Sequence, residues 1–516
     1  MNLGGLIAAT QYYFRAAGTS SGGTVKGSIQ SFTTTALPRT LTVASTNPAS
    51  GVTITVIPND NTNAGNGSTP FNRTYNNNQV VSLTAPATGN NFQKWLKNGA
   101  DFTGNASTNV NVTMDANYTM NAVFVTPKTV QFDSANYTAA ENVSSKVITV
   151  TRSGDATAPA TVDYTTSDSA GASQCNVFTG NASSRCDYET TVGTLNFAAG
   201  EISKTISIPV IDDSYAEGNE TFTVTLSNPT GAALGTPSSA SVSIVENDSV
   251  NGTNPIVQAR YYVRMHYLDF LNREPDTSGW DFWTNQITNC GSDVACTEVK
   301  RIDGSASFFL SIEFQQTGYL VERVYKVSYG DVNGTSTFPG PQPHSLSVPI
   351  VRFAEFLGDT QQITRGVVVL QPGWEQLLES NKVAFFNGFV QRNRFLTAFP
   401  LSLTASEYVN KLNTNAGNPL STTEVNSLAN SGKSRAEMLR AVAEHPNLAS
   451  SEFNRAFVLM QYFGYLRRNP NDPQDTDYSG YDFWLTKLNQ FNGNYNAAEM
   501  VKAFITSIEY GRRFGP

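Results

Sequence analysis

At 516 residues the chain is long enough for three or four domains of roughly 150 residues each and too long for one. Its 34 Lys and Arg against 42 Asp and Glu give a formal charge of -8, which excludes the clustered basic footprint of a nucleic-acid or anionic-membrane binder. Usage is rich in Thr, Ser, Asn and Gly, most of all in the first half, which favours β-structure with polar loops. No apolar stretch reaches the ~18 to 20 residues needed to cross a bilayer, and "MNLGGLIAAT" lacks the charged opening of a signal peptide.

In residues 1–36, apolar and polar positions alternate through Tyr12, Phe14 and Ala16, and a turn leads to a second strand ending at Phe32. The segment resembles the last two strands of a fibronectin type III domain. A lone hairpin is marginal in water, so the chain is expected to be the C-terminal piece of a longer polypeptide, or a reading frame whose start was assigned late. Residues 40–125 carry short alternating runs such as "LTVAST", "VTITVIP" and "NVNVTM", separated by Asn, Gly and Pro, as in a small all-β module. The stretches "YNNNQVVSLTAPATGNNFQKWLKNG" and "VTMDANYTMNAVF" resemble the divergent internalin-type B-repeat of bacterial surface proteins. Phe92 and Trp95 read either as core or as a platform on which a polysaccharide ring stacks.

Residues 127–249 alternate strand-like runs with turns, as a two-sheet antiparallel sandwich does. In "TFTVTLS", Phe222, Val224 and Leu226 point one way and Thr221, Thr223 and Thr225 the other. The loop just before it, within "IDDSYAEGNETF", gathers Asp212, Asp213, Glu217 and Glu220. Like charges ~4 Å apart repel by about 1 kcal/mol in water and by more where water is partly excluded. Only Arg185 and Lys204 are basic between residues 176 and 230, too few to neutralise the group. A hard divalent cation taking six to eight oxygen ligands does so, and Ca²⁺ accepts the irregular geometry of loops.

The stretch from Ile211 to Asp248 resembles the Calx-beta motif, the β-sandwich of calcium-sensing regions in sodium/calcium exchangers that recurs in bacterial surface proteins. The resemblance implies acidic ligands from four places. They are Glu141, Asp187, the group Asp212, Asp213, Glu217 and Glu220, and a closing run with Glu246 and Asp248. Asn247 stands in that run where the family has an acid, which implies lower affinity or fewer ions. The competing reading is a set of solvated loop acids in a sandwich that has lost its ion.

The four cysteines form two local pairs in loop-like sequence, Cys175 with Cys186 and Cys290 with Cys296. Two disulfides in an exported protein are one reading and four free thiols the other. A bridge between Cys175 and Cys186 places Asp187 beside a fixed point.

From residue 256 the apolar spacing becomes helical, with Tyr262, Met265, Leu268 and Leu271 at three-residue steps. An internal repeat follows: Tyr267, Leu271, Arg273 and Pro275 match Tyr462, Leu466, Arg468 and Pro470. Gly279, Asp281, Phe282 and Trp283 match Gly480, Asp482, Phe483 and Trp484, and "FFLSIEF" matches "FITSIEY". Residues 257–515 resemble a bacterial helical domain of unknown function found in exported Calx-beta proteins, with a signature similar to that of phycobilisome linkers. Arg273 and Arg468 are expected to pair with acids or helix ends. Asp472, Asp475 and Asp477 form either a solvated turn or a second cation loop, though without the EF-hand spacing.

The three histidines accompany no catalytic motif, so no enzyme activity is expected. The fold class expected is multidomain, with an all-β N-terminal half and an all-α C-terminal half containing a repeat. The function expected is that of a non-enzymatic, extracellular or cell-surface protein, structural or adhesive, with Ca²⁺ rigidifying one sandwich. The alternative is an accessory, polysaccharide-binding region of a larger secreted enzyme. Surface proteins are the other expected partners.

Overall fold

The computed structural model describes residues 3–35, 37–86, 91–102, 107–171 and 175–516. The chain forms two compact units, residues 1–129 with 152–158 and residues 130–151 with 159–516.

In the first unit, Gln11–Phe14 pairs with Gln30–Thr33 and the ladder continues through Ala17–Ser20 and Gly23–Lys26. Tyr12 stacks on Phe32 at 5.9 Å, but Tyr13 and Phe14 remain exposed, so this hairpin buries little apolar surface. Residues 38–125 form two facing sheets of five and four strands. The longest of these strands, Pro38–Thr46 and Tyr118–Val125, lie side by side and run parallel. Alternation along the strands sends Leu41, Val43, Ile54, Met120 and Phe124 inward. Trp95 is completely buried, and its indole N–H donates to the Thr108 carbonyl at 3.1 Å. A ring placed so is core, and the stacking platform considered from the sequence is not formed.

Residues 129–245 build a second sandwich, all of it but residues 129 and 152–158 within the second unit. One sheet orders Ser203–Pro209, Ser145–Ser153, Thr129–Phe132 and Ala233–Leu234; the other orders Asn136–Ala140, Ser239–Val245, Glu220–Thr230, Ala160–Thr166 and Val192–Phe197. Phe222, Val224 and Leu226 are buried while Thr221, Thr223 and Thr225 face solvent. Each such side chain taken from water contributes about 1.5–3 kcal/mol.

The rest of the second unit is helical, with helix starts fixed by capping boxes at Thr404, Ser421 and Ser434. The repeat appears as two similar constructions. Ala259–Leu271 and Thr277–Thr288 correspond to Phe453–Met460, extended by a π turn over Gln461–Tyr465, and Ser479–Gln490. The two helical constructions pack through aromatic rings, with Phe309 meeting Phe457 at 4.5 Å and Phe270 meeting Tyr465 at 5.2 Å. Gly464 lies under Phe270, where a Cβ would fall 2.5 Å from the ring, so the close approach requires glycine. Between these two constructions in sequence, the helical half carries a two-stranded hairpin, Asp331–Ser336 with His344–Pro349, which the helical periodicity did not signal.

The second sandwich and the helices share a buried polar seam. Arg467 pairs with Glu189, and Arg513 binds Asp269 through two bonds of 2.9 Å. Arg264 donates to the Ser144 and Val210 carbonyls at 2.9 and 2.8 Å.

Candidate metal centre

Strand register creates the acidic end of the second sandwich. Asn136–Ala140 and Ser239–Val245 run parallel with Ala140 opposite Val245, so the residues that follow, Glu141 and Glu246, emerge side by side. Glu220, opposite Ile244 on the other flank of Ser239–Val245, opens the next strand. The loop between Pro209 and Glu220 crosses the same end and supplies Asp213 and Glu217. Asp187 follows Cys186, which is joined to Cys175, and the Asp187 carbonyl accepts from Ile211 N–H at 2.9 Å. That bond holds the disulfide loop to the acidic loop.

Seven carboxylates gather in three overlapping groups: Glu141, Glu246 and Asp248; Glu141, Asp213 and Glu217; Asp187, Glu217 and Glu220. Within each group the ligand oxygens lie within 4.8 Å of one another. Asp212 joins none of these groups. Its Oδ1 accepts from the Asn247 side-chain amide at 3.1 Å.

Backbone amides orient the cluster. Glu246 accepts from Asp248 N–H and Glu217 N–H, both at 2.7 Å, and from Gly218 N–H at 3.0 Å. Asp213 Oδ1 accepts from Tyr215 N–H at 2.7 Å, while its buried Oδ2 has no hydrogen-bond donor among the described residues. None of these carboxylates is paired with Lys, Arg or His among the described residues. Arg185, the nearest basic residue in sequence, turns to the Leu466 carbonyl and Glu509 at 3.0 and 3.2 Å.

The electrostatic consequence is a group of acids that resist ionising together. Burial, then the charges of Asp213 and Glu246, pushes Glu141 up to about 9. Burial, then Asp213 and Glu220, pushes Glu217 up to about 9, and burial raises Asp213 to about 8 against the pull of the Tyr215 amide. Burial also raises Asp187, Glu220 and Asp248. Glu246 is the exception: burial pushes it up, but its amide donors hold it below the usual carboxylate range.

A donor set made wholly of carboxylates suits a hard cation such as Ca²⁺, and the absence of Cys and His from the three groups disfavours zinc. The orphaned Asp213 Oδ2 is the kind of buried acceptor that such an ion satisfies.

Sequence reasoning missed what lies behind the acidic loop. Ser214 Oγ donates to the Phe514 carbonyl at 3.1 Å, and Tyr215 Oη to the Arg512 carbonyl at 3.2 Å. These partners stand about 300 residues away in the chain, and no local pattern announces them.

Elsewhere the polar groups are otherwise engaged. Arg273 grips Glu313 at 2.7 and 2.9 Å, and Arg468 grips Glu509 at 2.6 and 2.9 Å. Asp472 pairs with Arg352, Asp475 with Arg468, and Asp477 accepts from Ser479 N–H, so the three acids disperse and form a braced turn. His266 is buried between the Tyr262 carbonyl and Ser305 Oγ at 2.7 and 2.8 Å, and burial lowers it to about 4. Both Cys175–Cys186 and Cys290–Cys296 are disulfides.

Comparison with known proteins matches residues 126–248 to the Calx-beta domain and residues 243–295 to a domain of unknown function (DUF4214). Sodium/calcium exchanger 1 of Bos taurus is 34% identical over 136 residues, 23% of this chain and 13% of the exchanger. Sodium/calcium exchanger Calx of Drosophila melanogaster is 33% identical over 123 residues, 24% of this chain and 12% of its own. The chain thus spans only about an eighth of these relatives. Among solved structures, the apo-form Calx CBD1 domain is 31% identical and is covered over its whole length by 24% of this chain, with a TM-score of 0.21. The calcium binding domain CBD12 of CALX1.1 is 33% identical over 23% of this chain and 46% of that one, also with a TM-score of 0.21. The chain therefore contains a Calx-beta domain, followed directly by sequence related to the uncharacterised family.

Proposed function

We propose that the protein is a non-enzymatic, exported calcium-binding protein with a structural or adhesive role, in which Ca²⁺ rigidifies the second sandwich. The observation that carries this reading is the convergence of seven carboxylates in three overlapping groups, one of which includes Asp213 with its unpartnered buried Oδ2, and no basic side chain among the described residues is paired to them. Glu141, Asp187, Asp213, Glu217, Glu220, Glu246 and Asp248 would hold the ion, which supplies positive charge where the chain supplies none. Export is supported by all four cysteines being paired in disulfides. A stalk-like role is supported by serial β-modules whose strands alternate buried and exposed side chains.

The test is thermal unfolding of the whole chain in Ca²⁺ and in chelator. A ligand at a hundred times its Kd adds about 2.7 kcal/mol to the state that binds it. The expected result is a raised melting temperature for the transition that includes the second sandwich, a rise that Asp213→Asn blunts. Superimposable curves in Ca²⁺ and chelator would sink the reading.

A further inference from the structure

The two helical units carry the same strip of residues at the start of their second helix, yet they meet different neighbours. At one constant offset, Asp276, Ser278 and Phe282 correspond to Asp477, Ser479 and Phe483. In the second unit this strip is covered by the hairpin tip. Thr337 N–H donates to Ser479 Oγ at 2.7 Å, Thr337 Oγ1 to Asp477 at 3.3 Å, and Phe338 meets Phe483 edge to face at 5.4 Å.

In the first unit no described segment covers the strip in that way. Ser278 and Phe282 instead face an open groove of about 500 Å³, floored by Trp283 and Phe308. Phe282 is 55% exposed there, against 36% for the covered Phe483. At the rim, Leu370 is 87% exposed and held at φ +72°, a conformation that a residue with a Cβ rarely adopts. With Ile312, 59% exposed and lining the same groove, Phe282 and Leu370 make a contiguous exposed apolar patch, and such a patch marks a contact surface.

We propose that this groove docks a loop of a protein partner that presents an aromatic ring beside hydroxyl-bearing residues, the chemistry of Ser336, Thr337 and Phe338. The hairpin shows what such a strip accepts: a ring against the phenylalanine, a backbone N–H on the serine, and a hydroxyl on the aspartate. Asp276 Oδ1 accepts from Gly279 N–H at 2.9 Å and from Ser278 Oγ at 2.6 Å, and Oδ2 lies 3.6 Å from Arg273 Nη1, which leaves this carboxylate a lone pair for a further donor. The inference is independent of the calcium site.

The experiment uses the full chain and a fluorescent peptide with the sequence of residues 331–349, cyclised to hold the hairpin. Saturable binding is expected, weakened at least tenfold by Phe282→Ala in the chain and by Phe338→Ala in the peptide. Phe491→Ala, at an aromatic 42% exposed elsewhere, is expected to leave binding unchanged. Ser278→Lys, at an exposed position, serves as a second variant if Phe282→Ala fails to fold. Absence of saturable binding, or equal affinity for Phe282→Ala and the parent chain, overturns the proposal.

Discussion

The two sandwiches solve the same packing problem with facing sheets and alternating strands, and they treat their loop acids in opposite ways. In the first, Asp60 accepts from Thr62 N–H, Ala64 N–H and Thr74 N–H at 2.8, 2.9 and 3.0 Å and from the Thr62 hydroxyl at 2.7 Å. Burial pushes its pKa up, but these donors outweigh it and hold the acid down at about 2. In the second, Glu141 and Asp213 face other acids and are pushed up to about 9 and 8. One sandwich completes its charges within its own loops; the other is met from outside by arginines of the helical half along its flank, and its acidic end is left for the proposed cation.

The largest effect should come from the flank. Arg467 and Glu189 are 3% and 2% exposed and paired across the seam. Removing one partner of a buried pair costs about 3–5 kcal/mol, because the other charge is left uncompensated. Arg467→Leu should therefore lower the melting temperature of the second unit sharply and leave the transition of the first unit unchanged. Glu189→Gln combined with Arg467→Leu should recover part of the loss. A parent-like melting curve for Arg467→Leu would remove the helical half from the comparison.

Next in size is the pH response of the acidic end in chelator. A carboxylate whose folded pKa is raised gives stability that is fully present below its unfolded value near 4 and is lost as pH rises through the folded value. The second sandwich should thus weaken between about pH 4 and 9, the window set by Glu141 and Asp213. Saturating Ca²⁺ should flatten the fall, because the cation offsets the charges that form. Glu141→Gln should flatten it too, and should raise stability in chelator while reducing the calcium increment. Equal slopes for Glu141→Gln and parent would refute the linkage.

The smallest effect belongs to the first sandwich, and its sign is reversed. Asp60 has a lowered folded pKa, so its stabilisation is present above about pH 4 and is lost as pH falls toward 2. Asp60→Asn should cost about 1–2 kcal/mol at neutral pH, as weakened charge-assisted hydrogen bonds do, and should respond to neither Ca²⁺ nor chelator. A calcium response in the first unit's transition would break the contrast between the two sandwiches.

The sandwiches were legible because alternation is written locally: Phe222, Val224 and Leu226 declare their face within one strand. The acidic strip from Asp212 to Glu220 was legible because uncompensated charge is visible without a fold, whereas Glu141, Asp187, Glu246 and Asp248 were singled out only through the resemblance to the Calx-beta motif. Asp212 was counted among the ligands from the sequence, but it joins none of the three groups and its Oδ1 accepts from the Asn247 amide 35 residues on. The hairpin was missed because its strands, "DVNGTS" and "HSLSVP", carry little apolar alternation and are held by contacts such as Tyr478 N–H to the Thr335 carbonyl. The seam was illegible for the same reason at longer range: Arg467 and Arg513 read as ordinary surface charges until the sandwich is laid against them.

The parallel pairing of Asn136–Ala140 with Ser239–Val245 has a mechanical meaning. Pulling on the start of the first strand and the end of the second slides the two past each other, so their five register pairs share the load and do not open one by one. Glu141 and Glu246 stand where that ladder ends. An ion gripped by both would act as a rivet between the strands, and its removal would change how much tension the protein bears before it yields.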